Sequence, residues 1–225
     1  MQKIYSLFIF LLLSLFSCQD RVETPADLGK NYQPLAVGKY WVYHVHETVY
    51  FGESDEESAV YYLRDLVQSD YFNEEGEQVF VVVREKSDDQ QHWTPYQTFS
   101  WRISRSSIIR QQDNQPLVTL ILPPTAGASW NGNVFNANQE EWFQLEVMDE
   151  YTLDNIFYND VVKVVHQEEE DKIVLRDMRY EVYGKDIGMI ESYYEVLNYC
   201  SRNDCLGQQI VESGRFTHLK LIQYE

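Results

Sequence analysis

Short runs of aromatic and β-branched residues, separated by polar turns, follow one another from Pro34 to the end of the chain. Residues of these types favour strands, and the acidic or Gly-containing stretches between them favour turns. We predict strands at residues 39–51, 59–69, 78–86, 97–104, 106–111, 116–122, 141–150, 160–167, 172–183, 187–198 and 208–224. Because strands do not alternate with helices, we expect one antiparallel sheet.

The predicted strands are long, at about ten residues, and long half-buried strands in one domain favour strong curvature. The chain has 225 residues, of which 44% are hydrophobic and 15% aromatic, which is enough for one large β domain. We therefore expect residues 34–225 to form a single mainly β domain with few helices. The sheet should be strongly curved, as a half or unclosed barrel of lipocalin-like kind. One short helix is predicted around Tyr151–Tyr158.

The first residues are typical of an export signal. Lys3 precedes an apolar run from Ile4 to Phe16, which is too short to span a bilayer as a permanent helix. The run ends in "LFSC", which resembles the lipobox of bacterial lipoproteins and places Cys18 where acylation occurs. We predict a lipoprotein signal peptide at residues 1–17, a lipid on Cys18, and a flexible tether over residues 18–33. The alternative is an ordinary secreted protein with an unrelated cysteine.

The formal net charge is −18, from 18 basic and 36 acidic residues. Such a surface repels the phosphates of nucleic acids, so we exclude nucleic acid as a partner. The membrane is expected as a partner through the N-terminal lipid, because several acyl chains hold firmly where one does not. The expected location is the bacterial cell envelope, and within it the outer membrane, on either face.

Cys200 and Cys205 flank a turn-like "SRND" sequence. Export places them where disulfides persist, so we predict a disulfide that closes this loop. Two free thiols are the alternative. A metal pair is less favoured, because no second cysteine pair completes a zinc site.

His44 and His46 in "KYWVYHVHETVY" are two residues apart and share one face of the first predicted strand. Two histidines on a strand can bind a metal, but a catalytic site needs at least a third ligand. His92, His166 and His218 are distant in sequence. We therefore interpret the pair as exposed or hydrogen-bonded histidines and expect neither a metal nor another cofactor.

Catalytic motifs are weak. "GASWNG" (127–132) is one residue too long for a nucleophile elbow, and its serine lacks the strand-to-helix context that such a turn needs. The acidic clusters at 53–57, 88–89 and 168–171 lack calcium-loop spacing and are interpreted as solvated turns. No P-loop, GxGxxG, HExxH or CxxC occurs. We expect a protein that is not an enzyme, with a hydrolase acting on envelope polymers as a remote alternative.

Three phrases occur in order: "YQPLAVGKYWVY" (32–43), "LPPTAGASWNG" (122–132) and "YNDVVKVVHQ…RYEVYGKDIGMIESYYEVL" (158–197). Together they resemble a loose group of bacterial exported proteins and lipoproteins of undefined function. The group is similar in architecture to the unclosed β-barrels of lipoprotein carriers and related lipid-binding periplasmic proteins. The resemblance implies a lipoprotein-carrier-like barrel and no particular chemistry. "YGKDIG" departs from the group, where an Ala and a Gly are commoner at Gly184 and Asp186.

The glycines and tryptophans of these phrases are predicted to carry the fold. Gly38 lets the chain turn into the first strand, and Trp41 anchors the core. Trp130 folds back from its loop onto the core. Gly184 and Gly188 bracket a tight connection between two late strands.

The function expected from these observations is binding. We expect a lipid-anchored envelope protein that holds an apolar or amphipathic small molecule in the concavity of its sheet. The alternative within the same class is an accessory subunit that acts through contacts with an envelope protein.

Overall fold

The computed structural model describes residues 28–52 and 55–225. A short 3-10 helix, Lys30–Tyr32, precedes twelve strands. The strands are β1 (Tyr40–Gly52), β2 (Asp55–Phe72), β3 (Gln78–Ser87), β4 (Thr94–Ile103), β5 (Ser107–Gln112), β6 (Gln115–Ile121), β7 (Ser129–Asn131), β8 (Trp142–Leu153), β9 (Ile156–Glu170), β10 (Leu175–Gly184), β11 (Gly188–Tyr199) and β12 (Val211–Tyr224). No helix in this part of the chain is long and apolar enough to cross a membrane.

All twelve strands form one antiparallel sheet in the order β6-β5-β4-β3-β2-β1-β12-β11-β10-β9-β8-β7. The sheet curls into a nearly closed barrel with one unsealed seam, which confirms the predicted fold class. The seam lies between β6 and β7. There the Val118 amide donates to the Gly132 carbonyl at 2.9 Å, and the Trp130 indole donates to the Val118 carbonyl at 2.8 Å. These bonds tie the two edges together without a continuous ladder.

Every strand predicted from the sequence is present, with shifts at the ends. The prediction missed β7, which has three residues. The predicted helix at Tyr151–Tyr158 is wrong, because these residues form the tip of the β8–β9 hairpin. Asp154 and Asn155 make the turn with φ of 47° and 67°. Asp and Asn tolerate this left-handed conformation, and two such residues in a row favour a hairpin over a helix.

The inner wall of the barrel is packed with side chains. One hydrophobic cluster takes in residues from all twelve strands. Its fully buried members include Val45, Val82, Leu120, Leu145 and Ile190. Interiors packed in this way leave few voids larger than a water molecule. The concavity expected to receive a ligand is therefore filled largely by the protein itself.

The barrel has two ends, which we call proximal and distal and define by the connections that each end carries. The proximal end holds residues 28–39, the β8–β9 turn, the β10–β11 turn and the C-terminal Glu225. The distal end holds the β3–β4, β5–β6 and β9–β10 turns and residues 200–210. The described chain thus enters the domain at the proximal end.

The predicted signal peptide at residues 1–17 and the lipid site Cys18 lie outside the described residues. Of the predicted tether, the last residues pack against the barrel, since Tyr32 and Gln33 are 9% and 3% exposed. Asn31 and the β10–β11 turn are joined by two bonds. The Asn31 side-chain amide donates to the Asp186 carboxylate at 2.8 Å, and the Asp186 amide donates to the Asn31 carbonyl at 2.8 Å.

Candidate functional site

Trp41 and Gly188 form one packed unit at the proximal end. Trp41 is 2% exposed, and its indole donates to the Ile187 carbonyl at 2.5 Å. Gly188 has φ of 104°, and a Cβ there would lie 2.7 Å from the indole nitrogen of Trp41. The close approach and the positive φ both require glycine at this position. The motif residues therefore position the β10–β11 turn rather than form a reactive site.

The other motif residues also lie in structural positions. Gly38 has φ of 92° just before β1, and Gly184 is the last residue of β10. Trp130 is 8% exposed, and its ring meets Phe143 edge-on with centroids 5.9 Å apart. A Cβ at Gly132 would lie 2.4 Å from the Phe143 ring. Trp130 thus packs on the core at the seam, inside a short strand rather than in a loop.

The structure pairs Cys200 with Cys205 in a disulfide, with Cα atoms 5.8 Å apart. The Cys200 amide also donates to the Ile210 carbonyl at 2.7 Å, which closes the base of this distal loop. A short loop constrained in this way should gain on the order of 2 kcal/mol from the bridge. Formation of the bridge in exported protein stays a prediction.

His44 and His46 lie on the outer wall, and the structure adds a neighbour that the sequence did not suggest. In the β1–β12 pairing His46 is directly opposite His218. His218 is separated from His46 by most of the chain, but β1 and β12 are adjacent in the sheet. The Nε2 atom of His218 lies 2.6 Å from the Glu191 carboxylate, whereas the His46 ring packs edge-on against Phe216.

These histidines do not gather into a group of three metal-ligating side chains. Within the described ranges, the one group of His, Cys, Asp and Glu with ligand atoms close enough for a shared ion consists of Cys200, Asp204 and Cys205. Its two cysteines are joined to each other. Disulfide sulfurs are poor metal ligands, because thiolates are the form that binds metals.

Charged side chains also meet inside the barrel. Arg110 of β5 and Glu181 of β10 form an ion pair at 2.8 Å, and the Tyr183 hydroxyl donates to Glu181 at 2.5 Å. In the sheet order, β5 and β10 are far apart, so this pair crosses the interior. Arg84 donates two bonds to Asp65 at 2.6 and 2.7 Å between β3 and β2. The crossing pair adds a link through the interior between the two halves of the sheet, which meet at the seam without a continuous ladder.

The charge state of this network follows from its contacts. Burial by itself raises the pKa of Glu181, but the Arg110 charge, His166 and the Tyr183 hydroxyl outweigh burial and lower the pKa to about 2. Burial lowers the pKa of His166, whose Nε2 lies 4.0 Å from Glu181 and has no hydrogen-bond partner among the described residues. Burial raises the pKa of Tyr183. Glu181 is thus ionised and His166 neutral at pH 7.

A second buried carboxylate lies on the outer wall. Glu191 is 2% exposed and accepts hydrogen bonds from the hydroxyls of Tyr151 and Tyr180, the latter at 3.2 Å. The tip of the β8–β9 hairpin reaches the outer wall nearby, where Lys220 pairs with Asp154 at 2.8 Å. Burial raises the pKa of Glu191, and hydrogen bonds from His218 and Tyr151 lower it overall.

An open groove of about 590 Å³ lies at the proximal end, between the start of β9 and the end of β12. Four apolar or aromatic residues that line it are strongly exposed: Ile156 at 51%, Phe157 at 74%, Ile222 at 45% and Tyr224 at 48%. The β10–β11 turn forms its third side. We call this the proximal groove. Its exposed apolar residues suit contact with another apolar surface.

No protein-family model and no curated protein matches the sequence. Two solved structures are similar to the fold. One, assigned as an exported protein with a YmcC-like fold from Bacteroides fragilis, has 12% identity and a TM-score of 0.43 over 86% of this chain and 98% of that chain. The other, assigned as a lipoprotein from Parabacteroides distasonis, has 9% identity and a TM-score of 0.42 over the same shares.

The sequence interpretation missed both the interior network and the proximal groove. The sequence did contain a signal for the network. Strand alternation places Arg84, Arg110 and Glu181 on the inward faces of their predicted strands. Charges at inward positions are found mainly when they are paired. No comparable signal existed for the groove, because its two sides are distant in sequence and meet only when the barrel closes.

Proposed function

We propose that this chain is a lipid-anchored protein of the bacterial cell envelope that works through contacts at its surface and catalyses no reaction. The observation that carries the proposal is the filled interior, in which core side chains and two ion pairs occupy the concavity of the sheet. The accessory role therefore ranks above carriage of a small molecule inside the barrel.

The proposal that the protein is not an enzyme is supported by what its buried ionisable groups do. Glu181 is held by Arg110 and Tyr183, and Asp65 is held by Arg84. Each of these carboxylates accepts hydrogen bonds from other side chains of the same chain. A general base or nucleophile must instead reach a substrate atom. These groups act to hold the barrel in shape.

The proposed location follows from the predicted acylation of Cys18, and the outer membrane is the membrane we propose. A Cys18→Ala variant should neither incorporate labelled palmitate nor fractionate with the outer membrane, whereas the unchanged chain should do both. Incorporation of palmitate into the variant would refute the anchor.

The choice between surface contacts and ligand carriage is tested on the protein extracted from its native membrane. Mass spectrometry of an organic extract should detect the covalent lipid on the protein and no additional apolar molecule in stoichiometric amount. A ligand present at one per chain and released only on unfolding would overturn the accessory role and favour carriage.

A further inference from the structure

We propose that the proximal end of the barrel rests on the membrane that holds the anchor, with the proximal groove in contact with lipid. This inference depends on the lipid anchor of the proposed function and adds an orientation and an interaction surface. Three observations support it: the chemistry of the groove, the place where the chain enters the domain, and the number of residues between that place and Cys18.

The groove has the chemistry of a lipid-contacting surface. Phe157 and Ile156 are exposed on one side, and Ile222 and Tyr224 on the other. Exposed apolar residues concentrated in this way mark a site of interaction with another surface. Tyrosine suits the membrane interface in particular, because its ring is apolar and its hydroxyl remains in contact with water.

The segment through which the chain enters the domain is bonded to the rim of this groove. Asn31 is joined to Asp186 by two hydrogen bonds of 2.8 Å, and Asp186 lines the groove. Tyr32 and Gln33 are buried immediately afterwards. The described chain begins at Leu28, three positions before Asn31, so the anchor segment leaves the folded domain at the proximal end, where the groove also lies.

The distance to the anchor limits which end can reach the bilayer. Nine residues lie between Cys18 and Leu28, and the ten Cα–Cα steps that join the two span at most about 35 Å when fully extended. A chain of this length has a root-mean-square span of roughly 17 Å. A twelve-residue strand such as β11, tilted as barrel strands are, places the distal end about 30 Å from the proximal end along the barrel axis. Contact at the distal end would need a nearly stretched segment, whereas contact at the proximal end needs none.

Charge selects the kind of lipid. The chain carries a net charge of −18, so a surface of anionic lipids repels it. Next to the groove, Lys220 is neutralised by Asp154 at 2.8 Å rather than available to a phosphate. Lys185 lines the groove together with Asp160 and Asp186, so acidic residues outnumber basic ones there. The groove is therefore assigned to zwitterionic lipid, and its apolar side chains make the contact.

A fluorescent probe placed in the groove tests the orientation. Phe157→Cys would carry the environment-sensitive dye NBD in the full-length acylated chain, reconstituted in phosphatidylcholine and phosphatidylethanolamine vesicles. The matched control is Phe51→Cys, because Phe51 is 60% exposed and is the last residue but one of β1, at the distal end. Cys18 is acylated and Cys200 is bonded to Cys205 in the proposed protein, so the introduced thiol is the one that reacts. Intact mass measures the acyl chains in each sample.

We expect blue-shifted emission and quenching by doxyl-labelled lipids at position 157, and neither at position 51. Equal, water-like emission at both positions in a chain of acylated mass would overturn the orientation and leave the anchor standing. A blue-shifted label at 157 that doxyl lipids do not quench would mean that a second copy or another protein covers the groove, which also overturns the lipid contact. A mass without acyl chains would refute the proposed anchor, and the inference would fail with it.

Discussion

Glu181 on the inner wall and Glu191 on the outer wall are both buried carboxylates, at 4% and 2% exposure. Glu181 is neutralised by a guanidinium, that of Arg110 at 2.8 Å, which stays charged at any pH the fold survives. Glu191 is held instead by His218 and tyrosine hydroxyls. The two walls of one sheet thus bury the same group in two ways. The stability that Glu181 contributes should be sensitive to loss of its partner, and the stability that Glu191 contributes should depend more on pH.

The largest expected effect is on the inner wall, at Trp41. Trp41→Ala removes a side chain that is 2% exposed, together with its hydrogen bond to the Ile187 carbonyl. We expect a loss of about 3–5 kcal/mol in the free energy of unfolding, measured by chemical denaturation. A loss below about 1 kcal/mol, the range of surface substitutions, would show that the indole is not part of the core.

Breaking the crossing ion pair should cost almost as much. Arg110→Met leaves the Glu181 carboxylate buried without its counter-charge, and we expect a loss of about 3 kcal/mol or more at pH 7. The double variant Arg110→Met, Glu181→Leu removes both charges and should recover most of that stability, as measured in the same denaturation series. If the double variant is no more stable than the single one, the cost comes from lost packing of the arginine rather than from the unpaired charge.

On the outer wall, Glu191→Gln should cost less, about 2 kcal/mol at pH 7, because the amide oxygen can still accept from a tyrosine. The pKa of Glu191 is lowered in the folded state, so its stabilisation is present above its ordinary value near 4.5 and is lost as pH falls below it. The difference between the variant and the unchanged chain should therefore shrink between pH 5 and pH 3. A difference that is constant over this range would contradict the ionised state of Glu191.

His166 tests whether the inner wall has a pH response of its own. Burial lowers the pKa of His166 below its ordinary value of 6.5, so its stabilisation is present above pH 6.5 and is lost as pH falls. The uptake of one proton on unfolding changes the free energy of unfolding by at most about 1.4 kcal/mol per pH unit. Between pH 6.5 and pH 5 the loss of stability is therefore at most about 2 kcal/mol. His166→Phe keeps the stack on Phe143, whose ring centroid is 4.0 Å away, and should flatten denaturation midpoints between pH 7 and pH 5. If the denaturation midpoints of the variant and the unchanged chain change equally with pH, the prediction is wrong.

The smallest effect is expected for the outer-wall histidines of β1. The double variant His44→Ala, His46→Ala should cost about 1 kcal/mol or less, under a third of the Trp41 value, because His46 is exposed and His44 is half-buried. Elemental analysis of the purified chain should find no stoichiometric zinc, copper or iron. A cost equal to that of Trp41, or a metal lost in the variant, would make these histidines part of a site.

The strands were predictable because local patterning decides them. β1 alternates Trp41, Tyr43 and Val45 toward the core, each 2% exposed or less, and this period is visible in the sequence. The short strand β7 was not predictable, because its three residues stand between Gly127 and Gly132 and are extended only through pairing with β8. The Tyr151–Tyr158 hairpin shows the same limit, since its turn depends on the backbone conformation of two residues.

The candidate sites were less predictable than the fold, because they depend on which strands become neighbours. His46 and His218 are opposite each other only because β1 and β12 pair. The proximal groove needs the start of β9 to meet the end of β12, and Arg110 needs the whole sheet to curl before it reaches Glu181. Periodicity identifies the face on which a side chain lies. It carries no information on the partner that a closed sheet brings to that face.

The pairing of β1 with β12 also determines how the domain can assemble. The first and last strands are neighbours in the middle of the sheet, so the meanders β1–β6 and β7–β12 are joined through the residues farthest apart in the chain. Contacts of such high sequence separation slow folding, because a long loop must close before they form. Until the fourteen-residue strand β12 pairs with it, β1 has one edge unpaired in the amino-terminal meander. Unpaired edges recruit other strands, so this interval is when the chain is most exposed to aggregation and has most need of a chaperone.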